Sequence, residues 1–193
     1  MEKKDLKPAG VFKYFEEICQ VPRPSKKEEK IIAYLKAFGA KHNLETKVDE
    51  AGNVLIKKPA TPGKENLQTV VLQSHIDMVC EKNNDIQHDF LTDPIETEID
   101  GEWLKAKGTT LGADNGIGVA TELAILADDS IGHGPLECLF TVDEETGLTG
   151  AFELKEGFMS GDILLNLTPK MKEKSLSDVP VALIPLRSSP IKK

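Results

Sequence analysis

The stretch that decides the fold is Thr69-Val70-Val71-Leu72-Gln73, followed at once by Ser74-His75-Ile76-Asp77. A short, β-branched, apolar run without polar alternation predicts a strand that is buried on both faces, as in a parallel or mixed sheet. Ligand sites of open α/β sheets lie just beyond the carboxyl ends of such strands. The segment that follows Gln73 is therefore the first place to look for a functional site.

Other parts of the chain predict the elements that surround this strand. Two further apolar runs, at 136–142 and 162–167, predict buried strands, and two hairpins are expected at 44–57 and 95–106. Helices are predicted at 11–19, from a capping box at Ser25 and Glu28 onward, and at 116–127. Strands that alternate with helices predict an α/β fold with a mixed sheet flanked by helices.

Composition excludes several classes of protein. A formal net charge of −8 argues against nucleic acid as a partner, because phosphates would be repelled. No apolar run approaches the roughly 20 residues that span a bilayer, so we expect no membrane association. The first five residues lack the apolar core of a signal peptide. The three cysteines are widely spaced and form no CxxC pair, which favours reduced thiols and a cytoplasmic location.

The first candidate motif is His75 and Asp77. Residues two apart in an extended segment project to the same side, so the Asp77 carboxylate can hold one imidazole nitrogen of His75. The other nitrogen would then be free for a metal, as in many zinc histidines. On this motif alone, an ordinary hydrogen-bonded pair at the surface is the alternative.

The second candidate motif runs from Gly108 to Gly118 and surrounds Asp114 and Asn115 with four glycines. So many glycines indicate a backbone forced close to some other group, at the mouth of the predicted helix. The alternative is a glycine-rich turn in which Asp114 caps that helix. The spacing matches neither of the common phosphate-binding glycine loops.

The third candidate motif is Asp143-Glu144-Glu145, at the end of the predicted strand 136–142. Adjacent carboxylates repel one another unless a cation or solvent lies between them. Histidine together with carboxylates is a zinc-type set of ligands. Three solvated acids in a loop are the alternative.

Taken together, the order and identity of these motifs resemble the aminoacylase-type dinuclear zinc peptidases, and among them the aminoacyl-histidine (Xaa-His) dipeptidases. The resemblance runs from about Leu6 to Leu167 and is carried by residues 11–16, 22–23, 74–82, 111–116 and 142–147. It implies that residues 1–167 are the N-terminal part of a three-layer sandwich metallopeptidase catalytic domain, with its sheet incomplete.

The resemblance also implies roles for individual residues. The metal ligands would be His75 on one zinc, Asp114 bridging both zincs, and Glu145 on the second. The catalytic residues would be Asp77, which orients His75, and Glu144, the general base. A cis peptide bond is implied between Asp114 and Asn115.

The cofactor implied is a pair of Zn²⁺ ions per active site, which Co²⁺ or Mn²⁺ could replace. The partner is a small dipeptide substrate, and full-length relatives are expected to be homodimers. Two alternatives remain open. The chain could belong to another peptidase or deacylase of the same clan, or be a non-catalytic fragment that binds metal.

The tail departs from this family. Thr168 stands where the family places an aspartate, and residues 168–193 contain no aromatic side chain. Restoring one G before a Thr168 codon written ACT allows the tail to be read as Asp-Ser-Glu-Asp-Glu-Gly-Glu-Val-Phe-Ile-Gly-Cys-Ala-Gly-Gly-Ile-Asp-Thr, which resembles the family's continuation. We therefore expect residues 168–193 to be a frameshifted tail and the chain to be a truncated, inactive form. A naturally divergent short homologue is the alternative.

Overall fold

The computed structural model describes residues 3–168 and 182–185. After a short 3₁₀ helix at Lys3–Asp5, the helices are α1 (Ala9–Cys19), α2 (Glu29–Lys41), α3 (Ala113–Ala127), α4 (Glu144–Gly147) and α5 (Thr149–Phe152). The strands are β1 (Glu45–Val48), β2 (Val54–Lys58), β3 (Val70–His75), β4 (Thr97–Asp100), β5 (Trp103–Ala106), β6 (Leu136–Thr141), β7 (Ile163–Asn166) and β8 (Ala182–Pro185). Within the described residues, no helix is both long and apolar enough to cross a membrane.

Six of the strands form one mixed sheet in the order β1-β2-β6-β3-β7-β8. Strand β3 lies at its centre and runs parallel to both β6 and β7, whereas the outer pairs are antiparallel. Strands β4 and β5 form a separate hairpin. The predicted α/β architecture, a mixed sheet flanked by helices, is confirmed.

Alternate residues of the central strands pack into two different cores. Ile56, Leu72 and Cys138 belong to the large cluster on the face covered by the helices, whereas their neighbours Leu55, Val71 and Leu139 form a small cluster on the other face. This alternation is the period of two that a pleated strand imposes. Burial on both faces is the reason why these strands are mostly apolar and do not alternate between apolar and polar residues.

Helix α3 packs against β3 and α1, and this contact places the second motif beside the first. Phe15 and Ile18 of α1 and Leu123 of α3 are fully buried there. Each such side chain contributes about 1.5–3 kcal/mol when it leaves water. The start of α3 is therefore held firmly next to the end of β3.

Several element boundaries differ from the sequence prediction. Strand β3 continues through Ser74 to His75, so His75 is its last residue. Helix α3 begins at Ala113, but Asp114 and Asn115 have non-helical dihedral angles, and the regular helix starts near the predicted residue. The second hairpin begins its first strand at Thr97. Because Asp114 lies inside the first turn and Gly112 is the N-cap, Asp114 does not cap this helix.

The predicted capping box at Ser25 and Glu28 is wrong. Helix α2 begins at Glu29, and no side chain caps it. The Ser25 hydroxyl donates to Asp77 Oδ2 at 2.7 Å, and Glu28 Oε1 accepts from the backbone N–H of Lys26 and of Asp143. The tertiary partner of Ser25 outweighs the local pattern, because Pro24 forms a bridge to Met78 and draws the chain away from the helix.

Candidate metal centre

The three motifs meet at one edge of the sheet. Strands β3 and β6 are parallel and in register, with His75 opposite Thr141, so their carboxyl ends lie side by side. Glu144 and Glu145 follow β6 after Val142 and Asp143, and the first turn of α3 brings Asp114 over the same edge. This is the position at which open α/β sheets bind ligands.

His75 links the first two motifs. Its side chain is fully buried, and Nδ1 lies 3.2 Å from Asp77 Oδ1 while Nε2 lies 3.1 Å from Asp114 Oδ1. Burial lowers the pKa of His75, but hydrogen bonds to Asp114 and Asp77 outweigh it and raise this pKa to about 9. The protonated, cationic form of His75 is therefore favoured between these two carboxylates.

Asp77 anchors the site from within. Besides His75, its fully buried carboxylate accepts from the Ser25 hydroxyl at 2.7 Å and from the backbone N–H of Glu144 and Glu145 at 3.0 and 3.1 Å. Burial raises the pKa of Asp77, but these donors outweigh it and lower the pKa to about 2. One carboxylate thus fixes the histidine and the two glutamates that follow β6.

The peptide bond between Asp114 and Asn115 is cis, as the resemblance implies. Asn115 is buried, and its Oδ1 accepts from the Gly118 N–H at 3.2 Å. Its Nδ2 donates to Thr168 Oγ1 at 2.9 Å. The Asp114 side chain, in contrast, is largely exposed and points its carboxylate at His75. The second motif is thus locked at Asn115 and presents Asp114 to the site.

Glu145 completes a group of three that could hold a metal ion. One ligand atom from each of His75, Asp114 and Glu145 lies within 4.8 Å of the others. Burial raises the pKa of Glu145, and the nearby carboxylates of Glu144, Asp114 and Asp77 raise it further, while His75 lowers it. Negative charge is therefore concentrated here, and a divalent cation would relieve the repulsion.

The donor set fits zinc in type and in spacing. Zinc binds imidazole nitrogen and carboxylate oxygen at about 2.0–2.2 Å, so two ligands at a tetrahedral angle lie roughly 3.3 Å apart. The 3.1 Å between His75 Nε2 and Asp114 Oδ1 is close to this separation. The residues that are present therefore fit a zinc ion with His75 and Asp114 among its ligands.

Glu144 lines a cleft near the carboxyl ends of β3, β6 and β7. This cleft has a volume of about 450 Å³ and is lined by Glu144 together with Gln73, Thr141, Asn166 and Thr168 and by apolar side chains. The Glu144 side chain is partly buried, and its backbone is fixed by Asp77. A carboxylate in this position can exchange protons with a molecule bound in the cleft.

A second acidic group, Glu28, Asp77 and Asp143, lies deeper and is fully buried. Its members already have donors: Glu28 accepts from two backbone N–H groups, and Asp143 accepts from the hydroxyls of Thr146 and Thr149. Among the described residues, this group therefore acts as a hydrogen-bonded support beneath the site.

The structure brings all five candidate residues to one place, but sequence reasoning missed their supports. The sequence predicts a helix cap at Ser25, but the Ser25 hydroxyl instead donates to Asp77. The additional role of Asp77 on the backbone of Glu144 and Glu145 also escaped prediction. No local pattern signals these contacts, because the partners are 52 to 68 residues apart in the sequence.

Comparison with known proteins places the chain in a family. Residues 71–181 match the model of peptidase family M20/M25/M40, and the chain belongs to this family. It is 51% identical over 165 residues to the cytosol non-specific dipeptidase of Escherichia coli K12, covering 86% of this chain and 34% of that protein. The relationship inferred from the motifs is confirmed.

Solved structures agree with this assignment. The aminoacylhistidine dipeptidase from Vibrio alginolyticus is 55% identical and superposes with a TM-score of 0.84, over 86% of this chain and 34% of that one. The aminopeptidase PepT from Bacillus cereus ATCC 10987 is 26% identical with a TM-score of 0.70, over 82% and 43%. The chain thus spans about a third of the length of the dipeptidases it matches.

Proposed function

We propose that this chain carries the N-terminal, metal-binding part of a cytoplasmic zinc dipeptidase that cleaves Xaa-His dipeptides. The observation that carries the proposal is the convergence of His75, Asp114 and Glu145 within 4.8 Å, with Asp77 behind the histidine. The names of the relatives support a peptide substrate, since one is a dipeptidase of the cytosol and another an aminoacylhistidine dipeptidase.

In this proposal, His75 and Glu145 would each hold one of two zinc ions, and Asp114 would be a ligand shared by both. Bound zinc would lower the pKa of water to about 7 and polarise the scissile carbonyl. Asp77 accepts from His75 Nδ1, which leaves Nε2 as the ligand atom and fixes the orientation of the ring.

Glu144 is proposed to move the proton. Its carboxylate lines the cleft and belongs to no metal-ligand group found among the described residues. It would accept a proton from the attacking water and pass it to the amine that leaves. Asp77 holds the backbone N–H of Glu144 at 3.0 Å, which keeps this carboxylate beside the ligands.

The same geometry supports the proposal that the 193-residue chain is inactive by itself. Thr168 contacts Asn115 at the edge of the site and offers a neutral hydroxyl where the resemblance implies an acid. A hydroxyl is a poor substitute for a carboxylate ligand of zinc. We retain the proposed division into residues 1–167, part of the catalytic domain, and a frameshifted tail at 168–193, most of which lies outside the described residues.

A broader substrate range is the second candidate. The Escherichia coli relative is named a non-specific dipeptidase, which favours dipeptides other than Xaa-His. A panel of dipeptides with varied C-terminal residues separates the two. Faster release of histidine than of other residues supports the Xaa-His proposal, and equal rates contradict it.

The test of activity compares the 193-residue chain with a version whose reading frame is restored at codon 168, both produced in a host without dipeptidases. We expect the restored protein to release histidine from an Xaa-His dipeptide and to lose this activity with a chelator. The 193-residue chain should release none. Turnover by the short chain would contradict its inactivity, and chelator-resistant turnover would contradict the metal mechanism.

A further inference from the structure

Arg23 is a buried cation that contacts two separate parts of the candidate metal centre. Its side chain is 3% exposed. Nη1 donates to the carbonyls of Ile76 and Asp77, each at 3.2 Å, and Nη2 donates to the carbonyl of Gly112 at 2.6 Å. The guanidinium therefore ties the segment after β3 to the segment before the first turn of α3.

The backbone of Arg23 reinforces this connection. The Met78 N–H donates to the Arg23 carbonyl at 3.2 Å, and the next residue, Pro24, forms a parallel bridge to Met78. Residues 23–25 thus run alongside residues 76–78. Because Ser25 also donates to Asp77, this short segment holds both the main chain and the carboxylate of Asp77.

The glycines of the second motif leave space for this side chain. A Cβ atom on Gly112 would lie 2.5 Å from Arg23 Nη2, and one on Gly116 would lie 2.8 Å from the same atom. Gly112 also has a φ of +67°, which side chains with a Cβ rarely adopt. At both positions the Arg23 guanidinium is the nearest group to the added Cβ, and the next nearest side chains are Met78 at Gly112 and Phe15 at Gly116.

The contacts of Arg23 lie one or two residues from the proposed ligands. Ile76 and Asp77 follow His75 directly, and Gly112 precedes Asp114 by two positions. The planar guanidinium has donors in a fixed fork, so the carbonyls that it binds are held at a fixed separation. We propose that Arg23 is a positioning residue that sets the spacing of His75 and Asp114 and thereby the affinity of the site for a divalent metal.

This proposal rests on the proposed metal centre, but it also predicts an effect that can be measured in the protein without metal. If Arg23 sets the spacing, the contact between His75 Nε2 and Asp114 Oδ1 depends on it. Lysine at position 23 would keep the charge but could not bridge the carbonyls of two segments with a fork. Methionine would keep much of the volume and remove every donor.

The experiment uses the full 193-residue chain and compares Arg23→Lys and Arg23→Met with Leu35→Ala. Leu35 is fully buried in α2, so its truncation lowers stability without touching the site. Cobalt titration followed by visible absorption reports the affinity and the coordination geometry. We expect both Arg23 variants to bind Co²⁺ about 10- to 100-fold more weakly with a shifted spectrum, and Leu35→Ala to retain both.

A second measurement reads the spacing without metal. The ring N–H protons of His75, assigned with His75→Gln, should be shifted in the NMR spectra of the Arg23 variants and unchanged in Leu35→Ala. Arg23 variants with unchanged His75 signals and unchanged Co²⁺ affinity would overturn the proposal. Failure of the unsubstituted chain to bind Co²⁺ would instead overturn the metal centre, and the His75 signals would then decide the role of Arg23.

Discussion

The two sides of the candidate site are built differently. On the β3 side, His75 and Asp77 are fully buried and accept or donate hydrogen bonds at nearly every polar atom. On the β7 side, Thr168 is half-buried, and its neighbours Asn166 and Asn115 are neutral amides. The first side is organised to hold a cation, whereas the second supplies no charge. The variants below test this difference.

The largest effect is expected from Glu144→Gln in the frame-restored protein. Glutamine keeps the size of the side chain but cannot accept a proton, so turnover should fall by about 10²- to 10⁴-fold. Bound zinc, measured by elemental analysis, should remain unchanged, because Glu144 is not a proposed ligand. Full activity of this variant would refute the assignment of the base.

Asp114→Ala tests the bridging role on the charged side. We expect bound zinc in the frame-restored protein to fall at both sites, because one carboxylate is proposed to serve two ions. Glu102→Ala is the matched control, since Glu102 is an exposed acid in the turn between β4 and β5. Two zinc ions per chain in Asp114→Ala would contradict the bridging role.

Glu122 tests whether a buried carboxyl group behind β3 is charged, as Asp77 is, or neutral. This side chain is fully buried in α3, and neither of its oxygens has a hydrogen-bond partner among the described residues. Burial raises the pKa of Glu122 well above its usual value. The folded protein therefore favours the neutral carboxylic acid.

The free energy of unfolding should fall as the pH rises from the pKa of Glu122 in the unfolded chain to its higher pKa in the folded protein. The unfolded chain loses the proton near pH 4.3, whereas the folded chain keeps it to a much higher pH, so folding costs about 1.4 kcal/mol more for each pH unit between the two values. Glu122→Gln removes this titration. Urea unfolding at a series of pH values should show the variant gaining stability over the unsubstituted chain as pH rises above about 5.

Glu137→Gln is the control for this comparison. Glu137 is also buried, but Lys57 and Ser160 donate to it and outweigh the effect of burial, so its pKa is lowered. Its ionised form therefore stabilises the fold above the unfolded pKa, and Glu137→Gln should lose stability at neutral pH. Parallel stability curves for Glu122→Gln and the unsubstituted chain would refute a neutral Glu122.

The smallest effect is a gain on the uncharged side. Thr168→Asp places a carboxylate next to Asn115, where the resemblance implies an acid, and should raise the Co²⁺ affinity of the 193-residue chain by about tenfold. Thr168→Asn has the same size without the charge and should leave the affinity unchanged. Equal affinities for the two variants would remove position 168 from the metal centre.

The sheet could be predicted from the sequence because its central strands are mostly apolar on both faces and do not alternate between apolar and polar residues. The runs at 69–73, 136–142 and 162–167 correspond to β3, β6 and β7, which are covered on both faces. The candidate ligands are predicted from their motifs, since each ends a strand, follows one or opens a helix. The local sequence pattern is sufficient to predict an element when neighbouring residues along the chain share the same environment, as they do in a buried strand.

The supports of the site could not be predicted in this way. Ser25 and Glu28 have the spacing of a capping box, but a tertiary partner 52 residues away takes the Ser25 hydroxyl. Arg23 reaches carbonyls 53 to 89 residues away. Glu122 lies in a helix recognised by its apolar composition, and only the fold reveals that its carboxyl faces the core. These contacts depend on how distant segments pack.

The hydrogen bonds of Asp77 have a consequence for how this site can change in evolution. One carboxylate orients the proposed ligand His75 and, through two backbone N–H groups, the proposed base Glu144 and the proposed ligand Glu145. A substitution at Asp77 would therefore alter metal affinity and proton transfer together. Changing metal affinity without proton transfer, or the reverse, would require substitutions at residues that contact only the ligands or only the base. We therefore expect relatives to vary at such residues while Asp77 stays fixed.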